Sequence, residues 1–239
     1  MRKKSALIAM LALALLSSLV LSACTDLSMQ TRMDDVSGFD QIRIETFGEF
    51  IIQQGDEESL KIEAPRDYLR YITSEVENGV LVISTRRGFM GGPVRHVVYT
   101  LTVKDLQKVS LSGAGTIKIL ELETPSFELN LTGAGSIEID NLIADKLEVN
   151  LTSAGAIVIA GEVDGQEVNL SGLGSYEAGD LRSNTADVLL TGAGSVVVWV
   201  EETLDVEVSG VGSVAYFGKN PQVNQNVSGL GSVNSKGEH

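Results

Sequence analysis

The chain has 239 residues and carries 32 Asp and Glu against 18 Lys and Arg, a net charge of −14, so its surface repels a phosphate backbone and nucleic acid is not an expected partner. Its single cysteine excludes an intrachain disulfide or a cysteine metal cluster. Two histidines, His96 and His239, leave almost nothing from which to build a zinc site or a Ser-His-Asp triad, and no metal or cofactor is expected.

Arg2, Lys3 and Lys4 precede an apolar run over residues 6–20, and Leu21, Ser22 and Ala23 lead into Cys24. A positive start, a short apolar stretch and small residues at a cut make a secretory signal over residues 1–23. The run is shorter than the roughly 20 apolar residues a spanning helix needs, and no later segment comes close. Leu21-Ser22-Ala23-Cys24 resembles the lipobox of bacterial lipoproteins. That resemblance implies cleavage before Cys24, acylation of its thiol, and a place in the bacterial cell envelope. Several acyl chains on one residue meet the requirement for stable anchoring to a membrane. Loss of residues 1–23 removes three basic residues and no acid, taking the net charge to −17.

Residues 24–38 lack a sustained apolar period and read as a tether. From 39 to 110 the pattern is short strands: Ile42 and Ile44 alternate with polar neighbours, as do Leu60 and Ile62, and residues 97–103 form another β-rich run. Asn78-Gly79 between apolar stretches signals a type I′ hairpin, because both central residues need positive φ. Tyr68, Leu69 and Ile72 are spaced for one short helix within residues 65–73.

Residues 111–234 are a repeat. Leu111-Ser112-Gly113-Ala114-Gly115-Thr116-Ile117 recurs from Leu131, Leu151, Leu170, Leu190, Val208 and Val227. The corner glycines are Gly113 and Gly115, Gly133 and Gly135, Gly155 alone, then Gly172 and Gly174, Gly192 and Gly194, Gly210 and Gly212, and Gly229 and Gly231. Ser153 and Ala156 depart from the corner pattern. Apolar residues alternate before each corner (Phe127, Leu129, Leu131) and after it (Ile137, Ile139), and a third site is filled by Leu122, Leu142, Val163, Leu181 and Val200. Three short walls per coil of 18–20 residues predict an all-β, parallel β-helix-like solenoid preceded by a β-rich N-terminal module, with residues 235–239 as a tail. Corners stacked about 4.8 Å apart must be small in every layer, for positive φ or for close backbone approach. Ser or Thr before each corner is placed for hydroxyl ladders. Asn130, Asn150, Asn169 and Asn226 recur at one coil position and predict a side-chain ladder.

The repeated S/T-G-x-G-S/T-I/V corner, Ile51-Ile52-Gln53-Gln54-Gly55, Asn78-Gly79-Val80-Leu81-Val82-Ile83 and Leu101-Thr102-Val103-Lys104-Asp105-Leu106 together resemble the putative auto-transporter adhesin, head GIN domain family over about residues 39–234. The resemblance implies a right-handed β-helix-like fold on envelope proteins, many of them lipoproteins, and supplies no catalytic motif.

The corners lack the last glycine of G-x-G-x-x-G and any following Lys-Ser or Lys-Thr, so they are architecture and not phosphate loops. The position two after the second glycine holds an apolar residue or Tyr176, which excludes a calcium β-roll. Asp56-Glu57-Glu58, Glu162 with Asp164, and Glu201-Glu202 are the densest acids, but all fall in turns or at strand ends. No catalytic residue is assigned, and the protein is expected not to be an enzyme.

Two features point to binding. Arg86, Arg87, Phe89 and Arg95 sit in a glycine-rich stretch suited to an anionic group. Trp199 should point outward beside Phe217 of the next coil, with Tyr216 adjacent, forming an apolar strip on an acidic wall. The leading function is a non-enzymatic surface binding or adhesin-like module whose partner is an envelope glycan or a surface protein. The alternative is a structural envelope protein that self-associates as a homo-oligomer through solenoid ends, since only eight residues follow Gly231. A carbohydrate-active β-helix enzyme ranks last.

Overall fold

The computed structural model describes residues 28–88 and 96–239. Among the described residues seventeen strands join into one continuous sheet that coils on itself, and one helical turn is present, α1 (Arg66–Leu69). The repeats form β8 (Lys108–Leu111), β9 (Ala114–Ile119), β10 (Leu122–Leu131), β11 (Ala134–Leu151), β12 (Ala154–Leu170), β13 (Leu173–Leu190), β14 (Ala193–Val208), β15 (Val211–Phe217), β16 (Gln222–Val227) and β17 (Leu230–Gly237). All pair in parallel, each residue lying beside its counterpart one coil away: Ile137 pairs with Ile117 below and Ile157 above. This is the predicted solenoid.

One apolar core runs from Val36 to Val214. Inward columns before the corner (Leu131, Leu151, Leu170, Leu190) and after it (Ile117, Ile137, Ile157, Tyr176) are fully or almost fully buried. The third column, Leu122, Leu142, Val163, Leu181 and Val200, is buried as its spacing requires.

Close approach explains the corner glycines. A Cβ at Gly133 would collide with the carbonyl oxygen of Gly113 and the backbone of Ser112. The amide of Ala134 donates to Gly113 O at 3.0 Å, and the same link repeats from Leu173 to Ser153 O and from Ala193 to Gly172 O. Positive φ is not the general cause, since among the corner glycines of residues 111–234 only Gly115 adopts it, at 154°. At the third corner Ser153 uses its hydroxyl instead, donating to Leu131 O at 3.2 Å. The Asn ladder forms over three coils, Asn150 donating to Asn130 and Asn169 to Asn150 at 3.0 and 3.2 Å, but Asn226 is not in it, because Leu189 and Glu207 occupy the intervening layers. The hydroxyls before the corner do not ladder: Ser112 donates to the carbonyl of Ile44, and a hydroxyl pair forms after the corner, Ser136 to Thr116.

The N-terminal module is part of the same solenoid. β2 (Gln41–Glu45) and β3 (Phe47–Gln54) pair in parallel with β8 and β9, and Thr46-Phe47-Gly48 forms an eighth corner beneath Gly113 and Gly115. Below them lie β6 (Val80–Thr85) and β7 (Val98–Val103), also parallel to β2 and β3. The end is then closed by antiparallel strands: β5 (Ile72–Glu77) on β6, and β4 (Ser59–Pro65) on β7. The β5–β6 turn has the predicted geometry, with Asn78 at φ 51° and Gly79 at φ 80°. Between β4 and β5, α1 seats Tyr68 and Leu69 across the core.

The tether reading needs correction. Residues 29–34 form β1 (Met29–Asp34), antiparallel to β4. Arg32 clasps it to the cap, donating to the carbonyls of Leu69 and Ile72 at 2.8 and 3.1 Å while pairing with Asp34.

Candidate binding site on the outer wall

The aromatic pair owes its position to an unequal coil length. Most coils span 19 or 20 residues, but Gly192 to Gly210 spans 18. The β13–β14 register therefore jumps from Ala178/Val198 to Arg182/Trp199, and residues 179–181 stand out of the ladder. One coil on, Trp199 lies beside Phe217 as the counting predicts. Gly179 leaves the room that Phe217 occupies: a Cβ there would meet the Phe217 ring edge at 3.2 Å. Both aromatics are half-buried on the outside of the wall.

The strip has a polar rim. The Trp199 indole donates to Glu201 at 3.0 Å, and Arg182 approaches the same carboxylate oxygen at 3.7 Å and Glu162 at 2.9 Å. The tail crosses it. The His239 ring lies flat on Trp199 and edge-on to Phe217, with centroids 4.3 and 5.1 Å away, and its Nε2 is 3.1 Å from an Asp180 oxygen. The Lys236 ammonium stands 5.5 Å from the Phe217 centroid.

A buried polar chain holds the strip from inside. The Tyr176 hydroxyl donates to Gln166 at 2.9 Å, Gln166 donates to Ser183 at 2.9 Å, and Ser183 donates to the carbonyl of Trp199 at 2.7 Å. Gln166 and Ser183 are buried, and burial pushes the Tyr176 hydroxyl pKa well up, so it stays a neutral donor. The paired partners relieve what would otherwise be costly buried polar groups.

On the wall before the corner, Glu128, Glu148, Glu167, Asp187 and Asp205 stack in one column. Donors close it at both ends: Lys108 lies 2.8 Å from Glu128, and Asn224 donates to Asp205 at 2.8 Å. Burial first, then the like charges of Asp205 and Glu167, raise the pKa of the Asp187 carboxyl.

Over residues 38–221 the chain matches the family model described as "Putative auto-transporter adhesin, head GIN domain". The chain belongs to the head GIN domain family. A crystal structure of a putative adhesin from Bacteroides fragilis is similar at 25% identity and a TM-score of 0.83, covering 87% of this chain and 97% of that one. Two structures from Parabacteroides distasonis share the head GIN fold: a putative adhesin at 21% identity and TM-score 0.70, and a putative lipid binding protein at 24% and 0.68. They cover 88% and 87% of this chain and 98% and 96% of their own. No curated protein matches. The family and these relatives are described as putative adhesins or as a putative lipid binding protein, and none as an enzyme.

The other sequence candidates of this head GIN chain do not converge on the strip. Tyr216 pairs with Val198 in an inward column and packs against the core, so it is not part of the outer surface. Arg86 and Arg87 are exposed where the chain leaves β6, at the opposite end of the solenoid from β14 and β15. Phe89 and Arg95, like Cys24 and the signal segment, lie outside the described residues. Asp56, Glu162 and Asp164 line one open groove of about 890 Å³ with Glu123, Asp145 and Lys104. Among the described residues no group of three or more His, Cys, Asp or Glu is arranged to hold a metal. His239 and the Gln166 chain were not singled out by sequence reasoning. Only the exact coil register, which brings the tail over Trp199 and Gln166 under Tyr176, reveals them.

Proposed function

We propose that the protein is a non-enzymatic, adhesin-like binding module, exported and held on the bacterial cell envelope by lipidated Cys24. Its contact surface is the Trp199–Phe217 strip, and its ligand is the apolar face of a sugar in an envelope or surface glycan. The observation that carries this reading is the outward aromatic pair, 199 beside 217, rimmed by Asp180, Arg182 and Glu201. A flat aromatic face takes the C–H face of a pyranose, while rim groups such as Glu201 and Asp180 accept hydrogen bonds from its hydroxyls. His239 occupies that face in the free protein. Its link to Asp180, whose side chain is 79% exposed, is of the kind that contributes little to stability, so a ligand can displace it.

The test is the double substitution Trp199→Ala with Phe217→Ala, assayed on an array of envelope and host-surface glycans and by thermal melting. Loss of binding with a nearly unchanged Tm supports the reading. A large loss of stability with unchanged binding removes the strip from consideration, and wild-type binding to surface proteins alone replaces the glycan by a protein partner.

A further inference from the structure

The two ends of the solenoid are built differently. At the N-terminal end α1 lies across the core, and the edge strands carry charges, Arg32 and Asp34 on β1 and Glu75 and Glu77 on β5. Charged side chains and a covering element are the usual means by which a sheet edge is kept from pairing. Among the described residues no helix or loop covers the core at the C-terminal end, and the two edge strands carry a single charge, Lys236 near the end of β17, whose ammonium stands over Phe217 on the outer wall. Among the described residues, β16 pairs only with β14 and β17 only with β15, leaving their outer edges open. Residues 221–235 contain no charged side chain. Val223 and Val233 are only half-buried at inward positions, and Val227 and Leu230 are 40% and 82% exposed.

We propose that this end is a homotypic interface, at which the terminal coil of one copy pairs with the terminal coil of a second to close a two-fold dimer. Charge selects the partner. The walls are acidic and repel another copy, whereas residues 221–235 carry no charge, so copies meet there without like-charge opposition. The chemistry is self-complementary: the side-chain amides of Gln222, Asn224, Gln225 and Asn226 both donate and accept, as do the open backbone edges. A two-fold contact needs a patch that matches itself, and this one does. Because the other end is capped, the described solenoid has one open end, and association through it stops at two copies instead of growing into a filament.

The experiment is sedimentation equilibrium of the full chain in density-matched detergent, with Gln225→Lys and Val233→Lys together as the variant. These substitutions place positive charges of both copies against each other at the end and leave the aromatic strip and the anchor unaltered. The wild type should have twice the chain mass and the variant the single mass, with circular dichroism showing the same β fold in both. Hydrogen exchange provides a second reading that needs no variant: amides of residues 222–235 should gain protection as wild-type concentration rises. A single-chain mass for the wild type, larger open-ended species, a dimer that survives both lysines, or exchange independent of concentration would each overturn the proposal.

Discussion

The imidazole of His239 stacks on the indole of Trp199 at 4.3 Å with an interplanar angle of 6°. The contact joins the last residue of the sequence to a wall position 40 residues earlier, and it is possible because the shortened coil brings Trp199 beside Arg182 while residues 179–181 bulge. The strip is thus a product of coil-length variation in a fold whose other layers repeat closely.

Gly133→Val should destabilise the protein by about 1 to 3 kcal/mol or more, because the new side chain must displace the Gly113 carbonyl and the Ser112 backbone rather than a flexible neighbour. Ser153→Gly, at the equivalent corner, should change stability by less than about 1 kcal/mol, since it exchanges the bond to Leu131 O for the backbone geometry of the other corners. Thermal and denaturant melting of the two variants measure both effects. Equal midpoints for Gly133→Val and wild type would contradict the stacked corner.

Ser183→Ala removes the middle of the buried chain and leaves the Gln166 amide and the Trp199 carbonyl without their partner. The expected cost is about 1 to 3 kcal/mol in denaturant unfolding. A shift in Trp199 emission should accompany it, because the carbonyl that fixes residue 199 is released. An unaltered stability would show that the chain does not hold the strip.

Asp187 supplies a pH test. Its carboxyl titrates above its unfolded value, so the folded state binds that proton more tightly than the unfolded state does. Its contribution is therefore unfavourable above the folded pKa and vanishes as pH falls below the unfolded one, near 4. Asp187→Asn should raise Tm at neutral pH, and the gain over wild type should shrink through the acidic carboxylate range. A gain that is constant with pH would exclude the charge as its cause.

Cys24→Ser should abolish incorporation of labelled fatty acid and processing by the lipoprotein route, while residues 39–234 still fold. Metabolic labelling of wild type and variant reads this directly. A wild-type chain that takes up no label contradicts the anchor.

Much of the solenoid was legible in the sequence because its constraints are local and periodic. Recurrence of Gly113, Gly133 and Gly172 gives the layers, and alternation on either side gives the inward faces. The same counting places Trp199 beside Phe217. The strand at residues 29–34 was hidden because it is held by Arg32 reaching Leu69 and Ile72, a contact with no periodic trace. The corner at Thr46 was hidden for a different reason: it has Thr where the repeat has Gly, and 67 residues separate it from Gly113. Tyr216 misled by proximity, since strict alternation puts it in the column of Val198, facing the core. Side-chain contacts across coils, such as Gln166 with Tyr176 and Ser183, depend on rotamers that spacing does not encode.

Trp199 is the only tryptophan in the chain, so its fluorescence reports on the proposed contact surface without a label. Emission followed through a titration with a glycan retained on the array is the most direct measurement of binding at the strip. A ligand that lifts His239 and covers the indole should shift the emission to shorter wavelength, saturating with the same midpoint as binding measured independently by calorimetry. Saturable calorimetric binding with an unchanged Trp199 spectrum would place the ligand elsewhere and contradict the assignment of the 199–217 strip as the contact surface.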